Sequence, residues 1–188
     1  MRELTYYVAV TLDGYIAGPA DQFDAFLFEG DHMPAIIGRF PDAIPTDGAK
    51  ALGVAQDGAV FDTVLMGWNT YAVGLPAAPS PYRHLRQVVF TGRGPDPVEG
   101  VEFSDADPVE RVRALKAEDG TGIWLCGGGA LAATLADEID RLVLKVNPVL
   151  FGDGVRLFAE HGYDPAAFTR TAVTPFASGV VLAEYRRA

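Results

Sequence analysis

"IWLCGGGALAATLA", residues 123–136, joins a short apolar run to a run of helix formers through three consecutive glycines. The apolar run has the β-branched and aromatic character of a buried strand, and Leu131 and Leu135 recur at helical spacing beyond the turn. A strand that passes through a glycine turn into a helix is half of a β-α-β unit. One glycine there is explained by a tight turn at positive φ or by close helix-to-strand packing. Three in a row also leave backbone N–H groups bare at a helix start, where the helix dipole favours an anion such as a pyrophosphate. The stretch is not G-x-G-x-x-G, no acidic residue follows about 20 positions on in a β-α context, and no Gly-Lys-Ser or Gly-Lys-Thr occurs. An ordinary Rossmann site and a P-loop are thereby disfavoured.

The same rhythm extends in both directions. Residues 3–10, ELTYYVAV, form a strand that runs into a turn at Asp13-Gly14. Residues 61–66 form a strand that Gly67-Trp68-Asn69-Thr70 turns into a short helix, and residues 87–90 form another that ends at Thr91-Gly92-Arg93-Gly94. After a brief strand at 101–103, Asp107 as N-cap, Pro108 at the first helical position and Glu110 three residues beyond the cap mark a helix start. Residues 130–136 form a helix, and 141–147 and 180–185 form the last two strands. Strands alternating with helices predict a largely parallel sheet with helices on both faces. The last two strands, joined without a clear helix, are expected to add antiparallel edges. Between 31 and 58 prolines and glycines recur, predicting short helices linked by loops, either a mobile cover or a surface insertion.

Composition narrows the function classes. At 188 residues the chain is long enough for one domain, 1–188, with a full core. A formal charge of −10 argues against a nucleic-acid partner, which needs a basic face. No run approaches the roughly 18 apolar residues of a membrane span, and no signal peptide precedes the first strand, so a cytoplasmic location is expected. A single cysteine, Cys126, and three scattered histidines, His32, His84 and His161, predict no metal site.

Five segments carry a resemblance: "AVTLDGYIAG" at 9–18, "VLMGWNTY" at 64–71, "VVFTGR" at 88–93, "CGGGALAATLA" at 126–136 and "LVLKVNPVLFGDG" at 142–154. In this order and spacing the chain resembles the dihydrofolate reductase-like superfamily. It is most similar to stand-alone proteins akin to the C-terminal reductase domain of the bifunctional riboflavin-biosynthesis deaminase-reductase. The resemblance implies an α/β, three-layer fold with a mostly parallel sheet of about eight strands, an NADPH cofactor, a small heterocyclic substrate and a homodimer. It implies that Gly127, Gly128, Gly129, Ala130 and Leu131 cradle the pyrophosphate, and that Gly67, Trp68, Asn69 and Thr70 form a second phosphate-facing turn. Thr91, Gly92 and Arg93 would lie near the adenosine, with Arg93 on a 2′-phosphate. Ala9 and Ile16 would offer backbone groups to the nicotinamide carboxamide. Trp68 stands where the family usually has Arg, and Gly92 where it often has Ser, which leaves NADP specificity resting mainly on Arg93.

The implied chemistry is hydride transfer to a C=N or C=O carbon of a pteridine- or ribosylaminopyrimidine-like substrate. A proton must accompany it. Asp24, in "DQFDAFLF", is the first choice of acid, because Phe23, Phe26 and Phe28 would supply apolar surroundings that raise a carboxyl pKa; the equal alternative is a solvated helix residue with core phenylalanines, and Glu29 and Asp31 lie within range. Asp13 shapes the turn and touches substrate, Phe26 lines the substrate site, and Lys145 either reaches that site or snorkels at a sheet edge. Cys126 reads as a small buried hydrophobe. No H-x-E or C-x-x-C of a zinc deaminase is present. The alternative is a non-catalytic nucleotide-binding module that keeps the fold.

Overall fold

The computed structural model describes residues 1–159 and 162–188; His161, counted above among the histidines, lies outside the described residues. Among the described residues, ten strands and five α-helices follow in the order β1 (Leu4–Val10), β2 (Tyr15–Ala17), α1 (His32–Arg39), α2 (Thr46–Ala51), β3 (Phe61–Gly67), α3 (Trp68–Ala72), β4 (Arg86–Phe90), β5 (Val101–Ser104), α4 (Pro108–Ala117), β6 (Gly122–Gly127), α5 (Gly129–Thr134), β7 (Arg141–Val146), β8 (Val155–Arg156), β9 (Phe168–Pro175) and β10 (Val181–Arg187). Eight strands form one sheet in the order β5-β4-β3-β6-β1-β7-β10-β9, and β2 pairs with β8 in a small second one. The fold is α/β with an eight-stranded, mostly parallel sheet, as the resemblance implied.

Period-2 alternation divides the strand side chains between two cores. On one face Leu4, Tyr6, Leu65, Val88, Ile123, Leu125 and Leu142 meet Val112 and Leu115 of α4 and Leu131 and Ala132 of α5. On the other, Val64, Met66, Val89, Trp124, Val143 and Leu182 meet Ile36 of α1, Phe40 just beyond it, and Tyr71 of α3. Strands buried on both faces are what parallel β-α-β connections produce. The sequence signal at Asp107 is realised: its carboxylate accepts the Glu110 N–H at 2.9 Å, with Pro108 opening α4.

The expected antiparallel edge needs correction. The strand at 141–147 is no antiparallel edge: α5 carries the chain over β1, so β7 returns parallel to it, from Thr5–Arg141 to Val10–Val146. The antiparallel part is β10 on β7 and β9 on β10, and β9 is the edge strand. The segment 31–58 forms the expected short helices, α1 and α2, linked by loops, and it is anchored to the core. Ile36, Phe40 and Ala49 are buried in it, and the fully buried Asp42 carboxylate accepts the N–H groups of Gly58, Val60 and Phe61 at 3.2, 2.9 and 3.0 Å.

Candidate functional site

The sheet divides at its middle. The β1–β6 ladder stops at Tyr6–Leu125, although β1 runs on to Val10 and β6 to Gly127. Beyond that point β1 is held by β7 and β6 by β3, with Met66 opposite Gly127. Two strands that part at their carboxyl ends open a crevice, and in a parallel sheet the crevice at such a reversal of strand order takes the ligand. Tyr7, Val8 and Ala9, in the middle of an otherwise covered sheet, accordingly keep partial exposure, whereas Leu4 and Tyr6 have none.

The glycine turns form one side of this crevice. A Cβ built at Gly67 would lie 3.8 Å from the Gly128 nitrogen, so the turn entering α3 abuts the turn entering α5. The three glycines answer to different demands. Gly127 has φ +155°, which side chains avoid. A Cβ at Gly129 would overlap the Arg156 carbonyl oxygen and come within 3.3 Å of its carbon. Gly128 is extended, at φ −103° and ψ −169°, and a Cβ there would meet only the Thr70 hydroxyl, at 3.4 Å. Backbone conformation thus accounts for Gly127 and packing for Gly129, and Gly128 is the position whose bare face opens into the turn. The Gly127–Gly128 peptide is cis. Ala130 is exposed and Leu131 is buried in the core.

Trp68 and Arg93, 25 residues apart in sequence, come together: the Arg93 guanidinium lies 5.4 Å above the Trp68 ring. Arg93 is exposed and forms no ion pair among the described residues, and its N–H bonds the Thr91 hydroxyl at 3.1 Å. The tryptophan therefore holds the remaining cation over the turn by a cation–π contact. Gly92 and Asn69 are exposed beside it. Ile16 lies in β2, which Tyr15–Arg156 and Ala17–Val155 pairing fastens to β8.

The carboxylates are placed differently from expectation. Asp24 is exposed, in a turn ahead of α1, and borders an open hollow of about 410 Å³ shared with Gln22, Leu150, Phe151 and Asp153. The apolar enclosure expected around it is absent, because Phe23 and Phe28 are 43% and 52% exposed and Phe26 turns inward, stacked on Phe151 at 5.2 Å. Asp13 ties loops together, accepting the Thr11 hydroxyl at 2.5 Å and the Gly152 and Phe151 N–H groups at 2.7 and 3.2 Å. These bonds, the Thr11 hydroxyl first, hold its pKa below the ordinary 3.8. Asp31 accepts the Ala177 and Ser178 N–H groups at 2.7 and 3.0 Å.

On the α1 face of the crevice the structure gathers groups that sequence spacing did not connect. Tyr7, Tyr82 and Cys126 stand together, the thiol within electrostatic reach of both phenols. Burial pushes both phenols well above their ordinary value and the thiol up to about 12, so all three remain protonated donors. Each nonetheless keeps partial exposure, as groups lining a deep cleft do. Tyr7 stacks on Phe40 at 4.8 Å, and Tyr82 meets Trp124 edge-on at 5.0 Å. Lys145 stands opposite Ala9 on the same face, its ammonium 5.6 Å from the Phe28 ring centre. A second hollow, about 260 Å³ between Arg2, Glu3, Thr121 and Arg141, lies at the amino ends of the strands, where Asp62 and Glu184 already neutralise the two arginines. Among the described residues no His, Cys, Asp and Glu cluster suits a metal, and no helix is long and apolar enough to cross a membrane.

Comparison with known proteins agrees with this architecture. The family model of the RibD C-terminal domain matches residues 2–182. The uncharacterized proteins YwjB and YyaP of Bacillus subtilis (strain 168) are 33% and 26% identical, over 85% of this chain and 84% and 81% of theirs. A putative riboflavin biosynthesis protein from Shewanella sp. PV-4 superposes with a TM-score of 0.71 at 21% identity, covering 100% of this chain and 99% of that one. The diaminohydroxyphosphoribosylaminopyrimidine deaminase/5-amino-6-(5-phosphoribosylamino)uracil reductase of Thermotoga maritima gives 0.69 at 18% identity, this chain covered completely and spanning 57% of that one. Dihydrofolate reductase from Enterococcus faecalis, complexed with NADP(H), gives 0.63 at 18% identity over 98% and 96% of the two chains. The chain belongs to the RibD C-terminal domain family.

Proposed function

We propose that this member of the RibD C-terminal domain family is an NADPH-dependent reductase acting on a C=N or C=O of a small heterocycle, of the pteridine or ribosylaminopyrimidine kind. The observation that carries the reading is the parting of β1 from β6 beyond Tyr6–Leu125, with the paired glycine turns on one side of the opening and Ala9 on the other.

The residues present fit a nicotinamide dinucleotide. Gly128 presents an open backbone beside the Thr70 hydroxyl, as a pyrophosphate cradle requires, and Gly127, Gly129, Ala130 and Leu131 shape the turn around it. Gly67, Trp68, Asn69 and Thr70 supply the adjoining turn. Arg93, unpaired and steadied on Trp68, would read a 2′-phosphate, with Thr91 and Gly92 beside it. Ala9 and Ile16 would hold the carboxamide end by their backbones.

When bound, the cofactor supplies a hydride to the substrate carbon, while the adjoining nitrogen or oxygen takes a proton. The chain's task is to hold the two rings face to face and keep water from the reacting carbon. The aromatic wall of Tyr7, Phe40 and Trp124 excludes water on the α1 side. Asp13 fixes the loop of residues 11–15 against that of 150–153, which sets where Ile16 lies. Asp24, at the open hollow beside Phe26 and Phe151, is the acid assigned to pass a proton inward through water, and Lys145 faces the substrate.

Purified protein with NADPH and a panel of oxo-pteridines and oxo-pyrimidines tests the reading through substrate-dependent loss of reduced-nicotinamide absorbance. Turnover with at least one member supports it. Saturable NADPH binding without turnover across the panel favours the non-catalytic nucleotide-binding module instead.

A further inference from the structure

The cleft on the α1 side of the crevice is lined by hydrogen-bond donors. Tyr7 and Tyr82 bring phenols that burial keeps protonated, Cys126 a thiol, and Lys145 an ammonium. Strand register puts them on one face: Tyr7 is opposite Val143 and Ala9 opposite Lys145 in the β1–β7 ladder, while Cys126 follows Leu125, the last β6 partner of β1. Ala9, the small residue among them, keeps partial exposure.

Lys145 is largely enclosed yet has no carboxylate partner among the described residues. Its ammonium lies against the face of Phe28, which attracts a cation without neutralising it. The carboxylates on neighbouring elements are engaged or face elsewhere. Glu184, two residues along the β10–β7 ladder from Leu182, the partner of Lys145, is held by Arg39 at 2.5 Å and Arg141 at 3.3 Å. Asp31 and Asp13 accept backbone N–H groups, Asp24 borders the outer hollow, and Glu29 is exposed without an ion pair. Desolvation lowers the Lys145 pKa, the expected result for an ammonium whose counter-charge is missing. An anion arriving with the ligand would supply that charge.

We propose that this cleft selects planar conjugated carbonyl compounds that bear a carboxylate or a comparably acidic group, with Lys145 binding the negative charge and Tyr7 and Tyr82 donating to the carbonyl oxygens. Compounds presenting an amidine edge, as 2-amino-4-oxopteridines do, meet donors with donors and lack the carboxylate that would pair with that edge. The proposal rests on the reductase reading, since it places the substrate at the crevice.

The test measures binding of orotate, uracil and 2-amino-4-oxopteridine by calorimetry, with and without NADPH, to the wild type and to Lys145→Met and Lys145→Arg. Orotate should bind the wild type about tenfold or more tighter than uracil, and 2-amino-4-oxopteridine should bind more weakly than orotate. The orotate advantage should collapse in Lys145→Met and return at least in part in Lys145→Arg, with NADPH affinity unchanged in both. Equal binding of orotate and uracil, an advantage that survives Lys145→Met, tighter binding of the pteridine, or no binding of any of the three overturns the proposal. Absence of NADPH binding, seen in its own titration, would instead remove the reductase reading, while the cofactor-free arm still reads the cleft.

Discussion

Alanine at Gly129 should damage the fold and alanine at Gly128 should not, although the two are neighbours in one glycine run. A Cβ at Gly129 falls inside the 3.0 Å that real Cβ contacts respect, against the Arg156 carbonyl oxygen, and 3.4 Å from the Ala159 Cβ. That carbonyl belongs to backbone fastened on both sides, by Leu157 N–H to Gly14 at 2.9 Å and Ala159 N–H to Gly129 at 3.1 Å. It has little freedom to yield, so the cost is that of overpacking, about 1–3 kcal/mol. For a chain of this size each kcal/mol lowers the melting midpoint by about 2–4 °C, giving a loss of roughly 2–12 °C. Gly128→Ala adds an ordinary contact with Thr70 in a conformation open to any residue and should stay within about 0.5 kcal/mol of wild type. Gly128→Val, which fills the open face, should keep the fold and lose NADPH binding. Thermal unfolding by circular dichroism and a parallel NADPH titration separate the effects. Wild-type melting of Gly129→Ala, or wild-type NADPH affinity in Gly128→Val, would refute the division of roles.

Arg93→Ala should weaken NADPH about tenfold or more and leave NADH nearly unchanged, because only the former carries the 2′-phosphate; equal losses in paired titrations would show that Arg93 does not read it. Asp42→Ala leaves three N–H groups without their buried acceptor and should cost about 2–4 kcal/mol in urea unfolding, and a loss below about 0.5 kcal/mol would mean that the segment 31–58 is not anchored there. Asp13 has a folded pKa below its ordinary 3.8, so its bonds stabilise the fold above that value and the contribution fades as pH falls through the folded pKa. Wild type should therefore exceed Asp13→Asn in stability at pH 7 and converge on it as pH falls through the folded pKa, as followed by thermal melts; a pH-independent gap would contradict the assignment.

Local signals were legible where one short segment holds both cause and effect. The Asp107-Pro108-Glu110 start of α4 and the glycine turns after β3 and β6 needed nothing distant. β9 escaped because its sequence, FTRTAVTP, lies on the sheet edge with most side chains exposed and so carries no apolar run. The parallel course of β7 escaped because the crossover over β1 is a property of topology rather than of residues 141–146. Within the site, the turns were visible and their division of labour was not: Gly129 is bare because of Arg156, 27 residues on. Tyr7 with Tyr82 and Cys126, and Trp68 with Arg93, are likewise pairings across the sheet that no spacing announces. A phenylalanine-rich neighbourhood suggested an enclosed Asp24, but Phe26 turned inward and left the carboxyl in solvent.

Calorimetric titration of the purified protein with NADPH and with NADH tests the central claim most directly, since the crevice between β1 and β6 is assigned to that ligand. Saturable binding of NADPH at one site per chain, tighter than NADH and abolished by Gly128→Val, is the predicted result. Binding of neither nucleotide would contradict the assignment and leave the glycines at 127–129 as packing residues alone.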